Sequence, residues 1–188
     1  MAVAKWGADA VLQSRQSGME ARRATADDIE AIAETQVRAW QEAYVGQVAQ
    51  EYLDSLSVEQ RVEAWTGIHA ATDWPARGLL VVTDEGVVVG FAHVCPSRDD
   101  DLPADTGEVT AIYLRQAVWG RGAGRLLMDA ALAELRAAGG TSAILWVLDT
   151  NERARGFYEA VGWRAYGAEK VDTIGGQELS EVRYRSAL

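Results

Sequence analysis

Two rhythms of hydrophobic and polar positions divide the chain. Ile29, Ile32, Ala33, Gln36, Val37 and Trp40 recur at helical spacing and predict a helix that reaches Tyr44 and breaks at Gly46. Thr25-Ala26-Asp27-Asp28 ahead of it resembles a capping box, with Asp28 where Glu or Gln is usual. Tyr52, Leu53 and Leu56 suggest a short second helix. Ser57-Val58-Glu59-Gln60 repeats the capping pattern and opens a helix through Val62, Trp65 and Ile68. Leu127, Met128, Ala131, Leu132 and Leu135 share one face of a helix within Leu126 to Ala138, stopped by Gly139-Gly140. Asn151 to Val161 forms a last short helix, ended by Gly162.

The second rhythm is that of strands. Met19 to Ala24, Leu79 to Thr83, Val87 to Val94 and Glu108 to Arg115 read as β-rich runs, with Asp84-Glu85-Gly86 as a hairpin turn. Ala143 to Leu148 is continuously apolar, the pattern of a strand buried on both faces. Trp163 to Gly167 and Glu178 to Ser186 follow, separated by the turn-rich Ile174-Gly175-Gly176. Pro96 to Gly107, with Asp99, Asp100, Asp101 and Asp105, reads as a solvated loop. The order β-α-α-β-β-β-α-β-α-β-β predicts an α/β (α+β) fold. It forms one domain over 19–188, a three-layer sandwich whose mixed central sheet has about six or seven strands flanked by helices.

Composition adds boundaries. A chain of 188 residues supports a sizeable core. Residues 1–18 lack periodicity and read as a mobile extension. The formal net charge of −10 disfavours nonspecific nucleic-acid binding, so no nucleic-acid partner is expected. No apolar run approaches membrane-spanning length, and the start lacks a signal-peptide core, which gives a cytoplasmic expectation without a membrane partner. The single cysteine, Cys95, excludes an internal disulfide and fits a reducing compartment. No metal is expected.

Chemistry concentrates in Trp119-Gly120-Arg121-Gly122-Ala123-Gly124, between a strand and a helix. Glycine lets the backbone approach a ligand closely, and the free N–H groups of a helix start favour phosphate. No Gly-Lys-Ser/Thr follows, so this is not a nucleoside-triphosphate loop. The spacing G-x-G-x-G, without a ribose-binding acid at the expected offset, also excludes a dinucleotide fingerprint.

The combination of this loop with Glu108 to Leu114 and with the segment Asn151-Glu152-Arg153-Ala154-Arg155-Gly156-Phe157-Tyr158-Glu159-Ala160-Val161-Gly162-Trp163 resembles the GNAT superfamily of acetyl-CoA-dependent N-acetyltransferases. Trp119 departs from the Gln or Arg usual there, so the loop is expected to bind through its backbone. The resemblance implies that N–H groups from Gly120 through Arg121, Gly122, Ala123, Gly124 and Arg125 hold the CoA pyrophosphate. The arginines either add charge-assisted bonds or remain solvated. It further implies that main-chain groups of Ile112, Tyr113 and Leu114 pair with the pantetheine arm. Asn151 either bonds CoA or caps its helix.

Tyr158 matches the tyrosine that serves the leaving thiol. Glu108 matches a glutamate that acts on the amine through water; a surface charge or a substrate-binding charge is the alternative. His93 and His69 are rival bases, and Cys95 lacks the partners of a nucleophile. Tyr44 and Tyr52 are candidates for the acceptor wall, while Trp40 reads as core. The function implied is transfer of acetyl from acetyl-CoA to a primary amine of a small molecule. Protein or peptide acetylation and a noncatalytic CoA sensor are the alternatives. A homodimer through the C-terminal strands stays open.

Overall fold

Alternation along each strand decides which helices cover it. The computed structural model describes residues 15–16 and 18–188. Eight strands form one sheet: β1 (Arg15–Gln16), β2 (Met19–Arg23), β3 (Gly78–Asp84), β4 (Val87–Pro96), β5 (Thr106–Leu114), β6 (Ser142–Leu148), β7 (Arg164–Ile174) and β8 (Gln177–Ala187). Their spatial order is β1-β2-β3-β4-β5-β6-β8-β7, and every neighbouring pair is antiparallel except β5 and β6. The helices are α1 (Ile29–Ala43), α2 (Gln50–Asp54), α3 (Val58–Ala70), α4 (Ala123–Ala137) and α5 (Glu152–Ala160).

Leu80 and Val82 of β3, with Ala92 and Val94 of β4, face Leu127, Met128, Ala131 and Leu135 of α4. Their neighbours Leu79, Val81 and Phe91 face Ile29, Ile32 and Ala33 of α1 and Trp65 of α3. Two apolar clusters on opposite faces of one sheet make the expected three-layer sandwich. Burying apolar surface on both faces stabilises it in proportion to the area removed from water.

The first capping box forms, and at the second only the Ser57 half does. Asp28 accepts from Thr25 N at 2.7 Å, and Ser57 Oγ accepts from Gln60 N at 3.2 Å. α4 begins at Ala123, three residues ahead of Leu126, because its opening turn is made of the glycine loop itself. β7 continues past Gly167 to Ile174. It is an exposed edge strand, so no apolar alternation marks it, and it pairs irregularly between Ala165 and Glu169.

The loop before β5 is solvated as expected, with Asp100, Asp101 and Asp105 exposed, and two of its aspartates also hold a partner. Asp101 receives two hydrogen bonds of 2.8 Å from Arg183, and Asp99 accepts from Arg183 at 2.9 Å and from Trp146 Nε1 at 3.1 Å. The arginine is buried, so its charge draws the aspartates down onto the sheet. The expectation of a mobile extension lies outside the described residues for 1–14 and 17. Arg15–Gln16 pairs with Met19–Glu20. Among the described residues no helix is long and apolar enough to cross a membrane.

Two irregularities prepare the site. β5 and β6 pair only at Thr106–Ser142, Gly107–Ala143 and Glu108–Ile144, then separate. On the other side of β5 the register with β4 slips: His93 faces Ala111 while Val94 faces Val109, leaving Thr110 as the extra residue of a bulge.

Candidate active site

Where β5 leaves β6, a cavity of about 500 Å³ opens, within the range of small-molecule sites. Val109 to Leu114 line one side and Trp146 to Leu148 the other. Arg115 N donates to Val89 O at 2.8 Å, which points that residue's main chain toward β4. Alternation then turns the main-chain groups of Ile112 and Leu114 toward the gap. Leu114 O already accepts from Trp119 Nε1 at 3.3 Å.

The glycine loop closes one end. Gly120 has φ 71° and Gly122 has φ 90°, conformations that strain residues with a Cβ. The first intrahelical bond of α4 runs from Leu126 N to Gly122 O at 3.0 Å, so the N–H groups of Ala123, Gly124 and Arg125 precede it. Gly124 is needed for a close approach: a Cβ there would lie 3.1 Å from Leu114 Cδ1 and 3.2 Å from the Phe157 ring. Gly120, Gly122, Gly124 and Arg125 line the cavity. Arg121 is turned away; its guanidinium lies 2.9 Å from the Asp84 carboxylate at the end of β3. In its place Arg153, from the first turn of α5, lines the cavity and stacks 4.1 Å over the Trp119 ring. Sequence reasoning did not single out Arg153, and the departure at Trp119 was the signal beside which to look for it.

Asn151 caps α5, accepting from Ala154 N at 3.1 Å, and also lines the cavity. Tyr158 lies in the middle of the cavity wall. Its ring packs beside Tyr184 and Trp163 at 6.0 and 6.4 Å between centroids. Burial, reinforced by the nearby Tyr113 hydroxyl, pushes its phenol above the ordinary value, so it is a neutral proton donor.

The far end is aromatic. Trp40, Tyr44, Tyr113 and Trp146 line it, with Ile174 from the β7–β8 hairpin and the carboxylate of Glu181. The Trp40 and Tyr44 rings are 4.8 Å apart. Tyr52 stands behind this wall, edge-on to Trp40 at 6.2 Å and against Gly175. Burial pushes the Tyr44 phenol upward as well. Trp146 and Glu181 escaped the sequence reading. The period-two pattern of Glu181, Val182, Arg183, Tyr184, Arg185 was the available signal, since Val182 and Tyr184 belong to the apolar cluster on the other face, where Tyr184 packs on Tyr158 of α5.

Glu108 differs from the expectation of a carboxylate acting through water. Its side chain is 2% exposed, it does not line the cavity, and Arg98 occupies both oxygens. Arg98 donates from Nη2 at 2.6 Å, from Nε at 3.1 Å and from its backbone N at 3.1 Å. His93 shares a 2.6 Å hydrogen bond with Thr110 Oγ1, and its Nε2 is buried without a partner. Burial, with Arg77 and Arg98 nearby, pulls its pKa down to about 4, so the imidazole is neutral near pH 7. Burial raises the Cys95 thiol to about 11, which removes its nucleophilic thiolate. Among the described residues no cluster of three or more His, Cys, Asp or Glu could hold a metal ion.

Comparison with known proteins agrees with this geometry. Residues 34–163 match the acetyltransferase (GNAT) family, and the chain belongs to that family. It is 31% identical over 166 residues to the uncharacterized N-acetyltransferase YuaI of Bacillus subtilis, covering 86% of this chain and 88% of that one. An uncharacterized N-acetyltransferase of Mycobacterium tuberculosis is 30% identical over 142 residues, covering 76% and 85%. Among solved structures, the PaiA N-acetyltransferase of Thermoplasma acidophilum in complex with coenzyme A shares the fold with a TM-score of 0.69 and 18% identity, covering 90% of this chain and 99% of that one. YncA of Salmonella typhimurium, with acetyl-CoA, shares it with a TM-score of 0.65 and 21% identity, covering 90% and 94%.

Proposed function

We propose that this chain transfers the acetyl group of acetyl-CoA to a primary amine of a small molecule, by direct attack within a ternary complex. One observation carries the reading: a continuous cavity joins the glycine loop, the unpaired side of β5, Tyr158 and an aromatic end wall. The loop N–H groups hold the pyrophosphate, with Arg125 and Arg153 adding charge. Pantetheine lies along the open side of β5, which places the thioester between the two ends. The amine nitrogen attacks the thioester carbonyl carbon; the C–N bond forms and the C–S bond breaks. A main-chain N–H at the gap steadies the carbonyl oxygen as charge develops. The thiolate leaves with a proton from Tyr158, and the amine's proton passes through water in the cavity to restore the phenol. Glu108 serves as a positioning residue, fastening the Arg98 loop beside β5. The aromatic walls favour a small amine over a peptide, and use of acetyl-CoA fits a cytoplasmic reaction.

The test is release of CoA thiol from acetyl-CoA across polyamines, aminoglycosides, amino acids and peptides. Tyr158→Phe should lower turnover about 100-fold while acetyl-CoA affinity stays within about twofold. Unchanged turnover would remove Tyr158 from the mechanism. CoA binding without release on any amine would identify a binding domain on the same fold.

A further inference from the structure

At the aromatic end of the cavity one anion stands alone. Among the described residues that line the cavity, Glu181 is the sole acidic side chain; the other charged ones, Arg125 and Arg153, lie at the loop end. Glu181 is 17% exposed and belongs to the face of β8 opposite Val182 and Tyr184.

A cation already sits there. Lys170 Nζ lies 3.1 Å from Glu181 Oε2 and 4.4 Å over the Trp146 ring. A carboxylate and an indole face together form a seat for an ammonium ion. Lys170 is the one lysine among the described residues, on the exposed edge strand β7, and its side chain is 41% exposed. An exposed lysine paired with a carboxylate is weakly held, and its ammonium is a point charge that another ammonium can replace. The chain's own side chain therefore rests where a cationic ligand fits.

The spacing says which nitrogen that ligand presents. Tyr158 packs on Tyr184, and Glu181 is three positions further along β8 on the opposite face. At a strand rise of about 3.3 Å per residue, the two levels differ by roughly 10 Å. An attacking nitrogen must be neutral to attack, so the Glu181 carboxylate, at another level of the strand, suits a different group. A second charge on the same molecule is within reach.

We propose that the acceptor is a primary amine carrying a second cationic group, held by Glu181 against Trp146, with Lys170 as an internal competitor for that seat. This rests on the acetyl-transfer reading above.

The experiment measures CoA release with a series of α,ω-diaminoalkanes and with n-alkylamines of equal length. Diamines should be preferred about tenfold in kcat/KM. Glu181→Gln should raise KM for diamines about tenfold, with kcat within about twofold, and leave the alkylamine KM in place. Lys170→Met should shift the diamine KM the other way, several-fold lower. Opposite shifts from the two variants cannot come from a shared loss of folding. Equal effects of Glu181→Gln on both amine series, or a diamine KM that moves in neither variant, would overturn the second charge. Turnover of alkylamines without any preference for diamines would overturn it too, while the transfer reading stands. Bound CoA with no turnover on any amine would overturn both.

Discussion

The two ends of the cavity are built from different materials. At the loop end the cavity is built on main chain, with Gly120, Gly122 and the free N–H groups that open α4. At the aromatic end it is built on side chains from strands and helices far apart in sequence: Trp40, Tyr44, Tyr113, Trp146 and Glu181. In the proposed reaction the backbone site would serve one fixed chemistry, a doubly charged pyrophosphate, and would tolerate side-chain change. A side-chain site sets selectivity and is sensitive to each residue that builds it. The same division runs through the sheet. Its α4 face is an apolar cluster with the exposed Arg23–Glu134 pair at its rim, while its α1 face carries the buried members of two ion pairs, Glu108 and Arg183.

Substitutions sharpen this contrast, and the largest effects belong to the α1 face. Arg98→Ala leaves the Glu108 carboxylate buried without its partner and should cost about 3 kcal/mol of stability. Glu108→Gln, which leaves only an exposed guanidinium unpaired, should cost clearly less. Urea midpoints of the two variants decide this, and an equal loss would show that the pair's worth lies in mutual attraction.

His93 gives a comparable effect that depends on pH. Its folded pKa of about 4 lies below the unfolded value near 6.5, so the unfolded chain binds the proton first as pH falls. The stability it contributes is complete above pH 6.5 and is lost between there and about pH 4, up to about 3 kcal/mol. The difference in stability between the native chain and His93→Gln should therefore change across that interval. A constant difference would mean that His93 is more open to solvent than its position beside Thr110 implies.

The smallest effect belongs to the loop end. Trp119→Ala removes the platform under Arg153 but none of the main-chain donors. It should raise the KM for acetyl-CoA about three- to fivefold, the size of a partly exposed cation–π contact. A loss of a hundredfold would break the contrast, because the loop would then depend on a side chain.

The contrast also explains what the sequence made legible. The glycine loop and the Asn151-to-Trp163 segment are contiguous, so their chemistry is written in neighbouring letters. The three layers were legible because strand and helix periods differ. Arg98 and Glu108 are 10 positions apart, Asp99 and Arg183 are 84 apart, and nothing local announces either pair. The aspartates before β5 are solvated as their composition suggests, and only the pairing of Asp99 and Asp101 with Arg183 on the last strand is hidden from the sequence. β7 was cut short because an edge strand exposed on both faces carries no alternation. Glu108 was recognisable as a position, but its engagement depends on Arg98 folding back over it.

The parting of β5 from β6 after three residue pairs places a sheet edge in the interior of the molecule. Edges ordinarily lie at the rim, where any passing strand can add to them and where charge or proline blunts them. Here the cavity between β5, β6 and α5 encloses the edge. The Ile112 amide should exchange its hydrogen with solvent faster than its central position suggests, and slow sharply once a partner completes the ladder.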